Sequence, residues 1–283
     1  MAPDDLPGDG MDPADDAARL AALPVSLRRA AKITTLGPTK APVLLAHPDW
    51  KTPTPTVLWF HGRTVSKELD PGRYSRWLKA GLAVCAIDLP GHGQRDDGRG
   101  SDPAYSLEIL AEAVAEIDGI VADLTSIGGG VFDAVALAIG GMSLGGMVAL
   151  RRLCDKHPFT RALAESTTGA LAELYSGRAG VAWPVTHDPA TVAAVDPSAH
   201  LASFRPIPLL VLHSQADAVV PWASQAVFVE RLRAHYAAVG ADPAMIEVKT
   251  WATTGAPGEH AGFGRVSNEA KTLATAFLAA GVR

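Results

Sequence analysis

No stretch constrains this chain as tightly as Gly141-Met-Ser143-Leu-Gly145-Gly146. An apolar run at residues 135–139 leads into it, and residues 144–156 read as the helix that follows. A serine with glycine two residues to either side, set between strand and helix, has the spacing of a sharp turn. Such a turn lifts a nucleophilic hydroxyl clear of the edge of a sheet. Its backbones pass so close together that only small residues fit at the flanking positions. The helix starting at Leu144 then aims its first N–H groups and its positive dipole end at the space beside the hydroxyl. The plain alternative is a Gly-rich turn with an incidental serine, and the strand–turn–helix context argues against it.

Strands and helices alternate around this elbow. Short apolar runs at residues 43–46, 56–60, 82–88, 161–164, 208–213 and 246–251 have the length and flanking turn residues of strands. They are apolar throughout rather than on alternate residues, as in a parallel sheet covered on both faces. Leu107, Leu110, Val114, Ile117, Val121 and Leu124 recur at helical spacing. Helices are also expected at residues 74–80, 223–239 and, carrying Val266, Ala270, Leu273 and Phe277, at the end of the chain. Near the start, Leu20, Leu23 and Leu27 suggest a helix from residue 13 or 15 to about 31, broken at Pro24. Residues 1–16 hold six aspartates and three prolines and read as a mobile acidic tail. Residues 17–283 are expected to form one domain, with residues 166–205 as a small cap inserted over one end of the sheet.

A serine hydroxyl needs a base, and a histidine base needs an orienting carboxylate. For this architecture the chain order is serine, acid, histidine. Asp217 falls just past the strand that ends at His213, at the sheet end where active sites collect. Asp196 and Asp242 compete for the role, but each precedes a proline and reads better as a turn residue. His260 follows the last strand within Thr254-Gly-Ala-Pro-Gly-Glu-His-Ala-Gly262, a loop able to bring an imidazole over Ser143. His213 reads as part of a strand, His235 as part of a helix, and His157 as a helix-end cap. For the tetrahedral oxyanion, one donor is the amide of Leu144. A second is the amide of Arg63, in the His-Gly loop after the strand ending at Phe60, with Thr64 the lesser choice. Only the backbone of Arg63 is implicated, its guanidinium having no expected role beyond solvation.

These residues carry a resemblance to the α/β-hydrolase superfamily, from about Ile33 to the C-terminus. Trp59-Phe-His-Gly-Arg-Thr-Val-Ser-Lys-Glu68, Asp88-Leu-Pro-Gly-His-Gly-Gln-Arg95, the elbow and His213-Ser-Gln-Ala-Asp-Ala-Val-Val-Pro221 resemble dienelactone-hydrolase-like and prolyl-oligopeptidase-like esterases. The resemblance implies an α/β-hydrolase fold, with a mostly parallel sheet between helices, and hydrolysis of short-chain carboxylic esters without a cofactor. The chain departs from its relatives at three places. Ser143 stands where dienelactone hydrolases have cysteine, Ser214 where many relatives have glycine, and Glu259 where glycine commonly precedes the histidine.

Other residues have weaker claims. His92, in Pro90-Gly-His-Gly93, is expected to make a structural hydrogen bond within its loop rather than touch substrate. Trp183 and Trp222 are candidates for lining a pocket, with packing the equal alternative. Glu112, Glu116, Asp118 and Asp123 lie opposite a helix's apolar stripe and are expected to be a solvated face. Cys85 and Cys154 sit in apolar surroundings and read as buried thiols, without the spacing of a metal site.

Charge argues against one class. With 25 Lys+Arg against 30 Asp+Glu and no basic run, nothing here could track a nucleic-acid backbone. The acidic N-terminus and the glycine-broken apolar stretch at 134–150 suggest a cytoplasmic protein rather than a secreted or membrane one. The expectation is therefore a serine carboxylesterase acting on a small-molecule ester, with no metal and no cofactor. Thioester hydrolysis or acyl transfer by the same residues is the first alternative. A non-catalytic binding protein of the same fold is the second, although such proteins usually lack one of the three residues. Peptide cleavage is less expected, since there is no room for a large filtering domain. The sequence does not reveal oligomeric state.

Overall fold

A computed structural model describes residues 12–280 of the chain; residues 1–11 of the expected acidic tail lie outside them. Residues 13–16, expected both to close that tail and to hold the start of a helix at residue 13 or 15, open helix α1 (Pro13–Ala22). Asp12 caps the helix by accepting from the Ala14 N–H, and Pro13 takes the first helical position, where no amide is needed. Asp15 pairs with Arg19 at 2.7 Å, and the Gln94 amide donates to Asp15 and Asp16 at 2.8 Å each. Pro24 then separates α1 from α2 (Val25–Ala30), at the break its ring predicts.

The remaining elements follow in order: β1 (Ala31–Leu36), β2 (Ala41–Ala46), β3 (Thr54–Phe60), α3 (Pro71–Lys79), β4 (Ala83–Ile87), α4 (Ser106–Ser126), β5 (Phe132–Met142) and α5 (Leu144–Arg152). Then come β6 (Arg161–Glu165), α6 (Leu171–Tyr175), α7 (Pro189–Val195), β7 (Leu209–Ser214), α8 (Trp222–Ala238), β8 (Ile246–Trp251) and α9 (Ser267–Ala279). The strands form one eight-stranded sheet in the order β1-β2-β4-β3-β5-β6-β7-β8. Pairing from β4 through β8 is parallel, whereas β2 runs antiparallel to both β1 and β4. The chain reverses between β1 and β2 at Gly37, whose φ of 74° is the left-handed conformation glycine tolerates.

Successive residues of the central strands go to opposite faces, which is why the runs are apolar throughout. Leu58 and Phe60 join a cluster with Leu107, Ile117, Val148, Phe228 and Leu232 from α4, α5 and α8. Val57 and Trp59 join the opposite cluster with Leu27, Trp77 and Phe277 from α2, α3 and α9. Each fully buried side chain of this size contributes about 1.5–3 kcal/mol relative to exposure.

One expectation about helices is refined and one corrected. Asp118 and Asp123 on the acidic face of α4 are exposed, as expected, but Glu116 is largely covered and all four carboxylates have partners. Glu116 pairs with Arg95 and Glu112 with Arg99, Asp118 is bonded by Arg152, and Asp123 accepts the Gly37 N–H at 2.7 Å. Glu112 and Glu116 thereby tie the loop after β4 to the helix, Asp123 the turn before β2, and Asp118 the end of α5. His157 is not a helix cap, because α5 already ends at Arg152; its Nδ1 lies 3.1 Å from the Arg205 guanidinium, and its ring stacks on Phe159. Cys85 and Cys154 are buried and unbridged, and burial pushes the Cys154 thiol up to about 12. No helix among the described residues is long and apolar enough to cross a membrane.

Candidate active site

Parallel strands end on the same edge, so the loops after β3, β5, β7 and β8 gather there. They carry His61–Thr64, Ser143, Asp217 and His260. Ser143 is the N-cap residue of α5 at φ 54° and ψ −122°, and its hydroxyl makes no cap bond. Instead Ser143 Oγ lies 2.9 Å from His260 Nε2, and His260 Nδ1 lies 2.8 Å from Asp217 Oδ2. Residues 143, 217 and 260 are thus brought into one hydrogen-bonded chain. With Ser143 donating to Nε2, the Nδ1–H of His260 donates to the carboxylate. Asp217 is buried, and its other oxygen accepts from the N–H groups of Val219 and Val220 at 2.9 and 2.8 Å.

Close approach, rather than backbone conformation, explains the elbow glycines. A Cβ on Gly145 would lie 2.3 Å from the Phe60 carbonyl oxygen and 2.4 Å from that of His61. One on Gly141 would lie 2.3 Å from the Gly145 carbonyl carbon. Gly62 brings the loop after β3 against the elbow, since a Cβ there would sit 3.4 Å from that of Ser143. Neither the Arg63 nor the Thr64 N–H has an acceptor among the described residues. The Leu144 N–H opens α5, where no intrahelical acceptor exists.

His61 orders this loop. Its Nε2 accepts the Leu89 N–H at 3.0 Å and its Nδ1–H donates to the Gly62 carbonyl at 2.6 Å. Burial pushes its imidazole down to about 4, against the opposing field of Asp88. His92 makes the expected loop hydrogen bond, from Nδ1 to the Pro90 carbonyl at 2.8 Å.

The rival acids and bases have other partners. Asp196 accepts the N–H groups of Leu171 and Ala172 at the start of α6, and Asp242 caps the turn before β8. His213 lies within buried β7 and donates to the Val220 carbonyl at 2.8 Å, with burial lowering its pKa despite Asp217 3.5 Å away. His235 lies on α8 against the Phe204 carbonyl.

Glu259 and Ser214 act together in a way the sequence does not reveal. Glu259 has φ 54°, a left-handed backbone conformation that favours glycine. Its carboxylate accepts from the Thr254 N–H at 2.5 Å, Thr254 Oγ1 at 2.8 Å, the Gly255 N–H at 2.8 Å and Ser214 Oγ at 2.9 Å. Those bonds, the Thr254 N–H foremost, hold it down to about 2. The Ala218 N–H also donates to the Gly258 carbonyl at 3.0 Å. Ser214 and Glu259 therefore form one contact, joining the loop that carries Asp217 to the loop that carries His260.

Ser143 and His260 open onto a cavity of about 560 Å³ lined by Trp59, Arg63, Arg73, Met142, Trp183 and Lys271, among others. Trp183 lines it; Trp222 does not, and packs against His213 with ring centroids 5.4 Å apart. Arg73 is the notable omission from the sequence reading. It is buried beneath Trp59, makes two 2.7 Å bonds to buried Glu165, and pairs with Asp70, which also accepts from Lys271. Burial opposes its charge, but Glu165 and Asp70 together hold the guanidinium above its usual range. The local signal was Asp70-Pro71, an N-cap followed by proline at the first helical position, which starts α3 three residues ahead of Tyr74. Among the described residues, no cluster of His, Cys, Asp or Glu could hold a metal ion.

The model of the prolyl oligopeptidase family matches residues 75–249. The chain is 31% identical to Esterase YjfP of Escherichia coli strain K12 over 195 residues, covering 64% of this chain and 76% of that protein. Its structure resembles TT1662 from Thermus thermophilus with a TM-score of 0.65 and 24% identity, over 89% of this chain and 98% of the other. It also resembles a puromycin-hydrolyzing peptidase of Mycobacterium tuberculosis, with a TM-score of 0.63 and 19% identity, covering 88% of this chain and 39% of that one. These likenesses fit an α/β-hydrolase fold.

Proposed function

The chain belongs to the prolyl oligopeptidase family of α/β-hydrolase-fold serine hydrolases, and from that premise we propose that it is a carboxylesterase for short acyl esters. One observation carries the reading: the unbroken hydrogen-bonded chain from Ser143 Oγ through His260 to Asp217. In this mechanism Ser143 attacks the ester carbonyl while His260 Nε2 takes its proton. Asp217 fixes the imidazole tautomer and stabilises the imidazolium. The tetrahedral oxyanion is held by the amides of Leu144 and Arg63, each donor worth about 3–4 kcal/mol. His260 returns the proton to the leaving alcohol, and water cleaves the acyl-enzyme by the same route.

The preference for short acyl groups rests on the cavity. Acyl and alcohol portions share about 560 Å³, and the buried Trp59, Arg73 and Tyr74 close one side. The described residues act as one catalytic domain in this reading, with residues 166–205 as its cap, contributing Trp183 to the pocket. No nucleic acid, membrane, metal or cofactor takes part.

The test is hydrolysis of a p-nitrophenyl ester series from acetyl to dodecanoyl, with Ser143→Ala alongside. We expect kcat/KM to fall with acyl length and kcat to fall about 10⁴-fold or more in the variant, with folding intact. Wild-type turnover in the variant would refute the nucleophile. A preference for the long esters would refute the substrate range.

A further inference from the structure

Among the charged residues lining the cavity, Arg63 stands apart. Arg73 is neutralised by Glu165 and Asp70, and Lys271 by Asp70. Arg63 has no carboxylate within ion-pair distance among the described residues; its guanidinium donates only to the Ser101 carbonyl, at 2.8 Å. Its Nε–H is buried without an acceptor. Burial lowers its pKa, and the distant fields of Tyr175 and Asp102 only partly oppose that. An arginine in that setting remains charged near neutral pH, since its reference pKa is so high. The side chain is therefore not merely solvated, as the sequence suggested. It is a partly desolvated cation on a residue that lines the same cavity as Ser143.

A desolvated guanidinium with unused donors is an incomplete ion pair. Leaving a buried donor unmade costs free energy, and a carboxylate is the group whose geometry matches a guanidinium fork. Building on the esterase reading above, we infer that Arg63 selects esters that carry a carboxylate, and that this cavity is a site for anionic rather than neutral esters. The net charge of the chain is −5, so an anionic substrate gains nothing from the overall field. Selection has to come from this local cation. Arg63 then serves the reaction twice, with its amide on the oxyanion and its guanidinium on the substrate's carboxylate.

Two matched pairs of esters test this, followed by pH-stat at low ionic strength. Monoethyl glutarate against ethyl pentanoate places the charge on the acyl side; 3-acetoxypropanoate against propyl acetate places it on the alcohol side. The readout is the charged-to-neutral ratio of kcat/KM within each pair, from which any change at the Arg63 amide cancels. For one pair we expect a ratio of about tenfold, falling to about one in Arg63→Gln, partly kept in Arg63→Lys, and reduced by salt. Ratios at or below one in both pairs, or a ratio that survives Arg63→Gln, would overturn the inference while leaving the esterase reading intact. Calorimetry of glutarate with Ser143→Ala reads the same site without turnover. Binding that disappears when Arg63→Gln is added supports the anion site even if no ester is hydrolysed, in which case the esterase reading alone falls.

Discussion

Ser143 and Glu259 both hold positive φ without being glycine, and the surroundings of each account for it. Such a conformation costs about 1–3 kcal/mol and persists where neighbouring bonds over-determine it. Around Ser143, its N–H donates to the Glu165 carbonyl at 2.9 Å, while its own carbonyl accepts Thr167 Oγ1 at 2.7 Å and the Met147 N–H at 3.1 Å. Around Glu259 the four bonds to its carboxylate do the same work. Because its folded pKa is depressed to about 2, that contribution is complete above the unfolded value of 4.5 and is lost as pH falls toward 2. Mild acidification is therefore expected to leave this loop in place. Glu259→Gln, which mimics the protonated carboxyl, is expected to lower kcat about tenfold with KM little changed. Glu259→Gly should lower it as much although it relieves the backbone. Full activity in either variant, measured on one short ester, would remove Glu259 as a positioning residue for His260. At this scale the sequence disclosed residues 143, 217 and 260 because motif spacing and chain order mark them. It could not disclose the Ser214–Glu259 bond, since residues 45 positions apart meet only after folding.

Elements meet at the site through two contacts of different kinds. The first is backbone proximity between α5 and β3, where Gly145 leaves no room for a methyl group against the Phe60 and His61 carbonyls. Gly145→Ala should therefore displace the elbow from the loop after β3. An activity loss of at least about tenfold is expected, with destabilisation of about 1–3 kcal/mol, read by urea titration. The second is the Arg73–Glu165 pair, which fastens α3 to the end of β6. Arg73→Ala strands a buried carboxylate and should cost about 3–5 kcal/mol, most of which Arg73→Met with Glu165→Leu should recover. If the single and double variants are equally unstable, the pair is not what holds α3. Strand and helix positions were largely legible here, because apolar runs and helical spacing are local properties. β1 was not, because Lys32, Thr34 and Thr35 interrupt its apolar pattern, and pairing with β2 is what makes it a strand.

The whole molecule responds to acid through histidines it keeps neutral. His61 is fully buried with its pKa near 4, against 6.5 when unfolded, so between those values the unfolded chain binds the extra proton. Stability should consequently fall as pH drops from 7 to 5, by roughly 2 kcal/mol from this imidazole, and change little from 7 to 8. Urea midpoints across that range check the sign; a protein more stable at pH 5 would contradict it. His157, held down to about 4 by burial and by Arg205, acts in the same direction.

By itself the sequence determined the alternation of strands and helices, the elbow and its serine, and the chain order of Ser143, Asp217 and His260, which folding joins by hydrogen bonds, all of them encoded in spacing along the chain. Only the tertiary structure decided which charges stand alone. Arg73 and Arg63 look alike as residues, yet one finds Glu165, 92 positions away, and the other finds a carbonyl. Compensation of a charge depends on what folding brings within a few ångströms, and no local pattern records that distance.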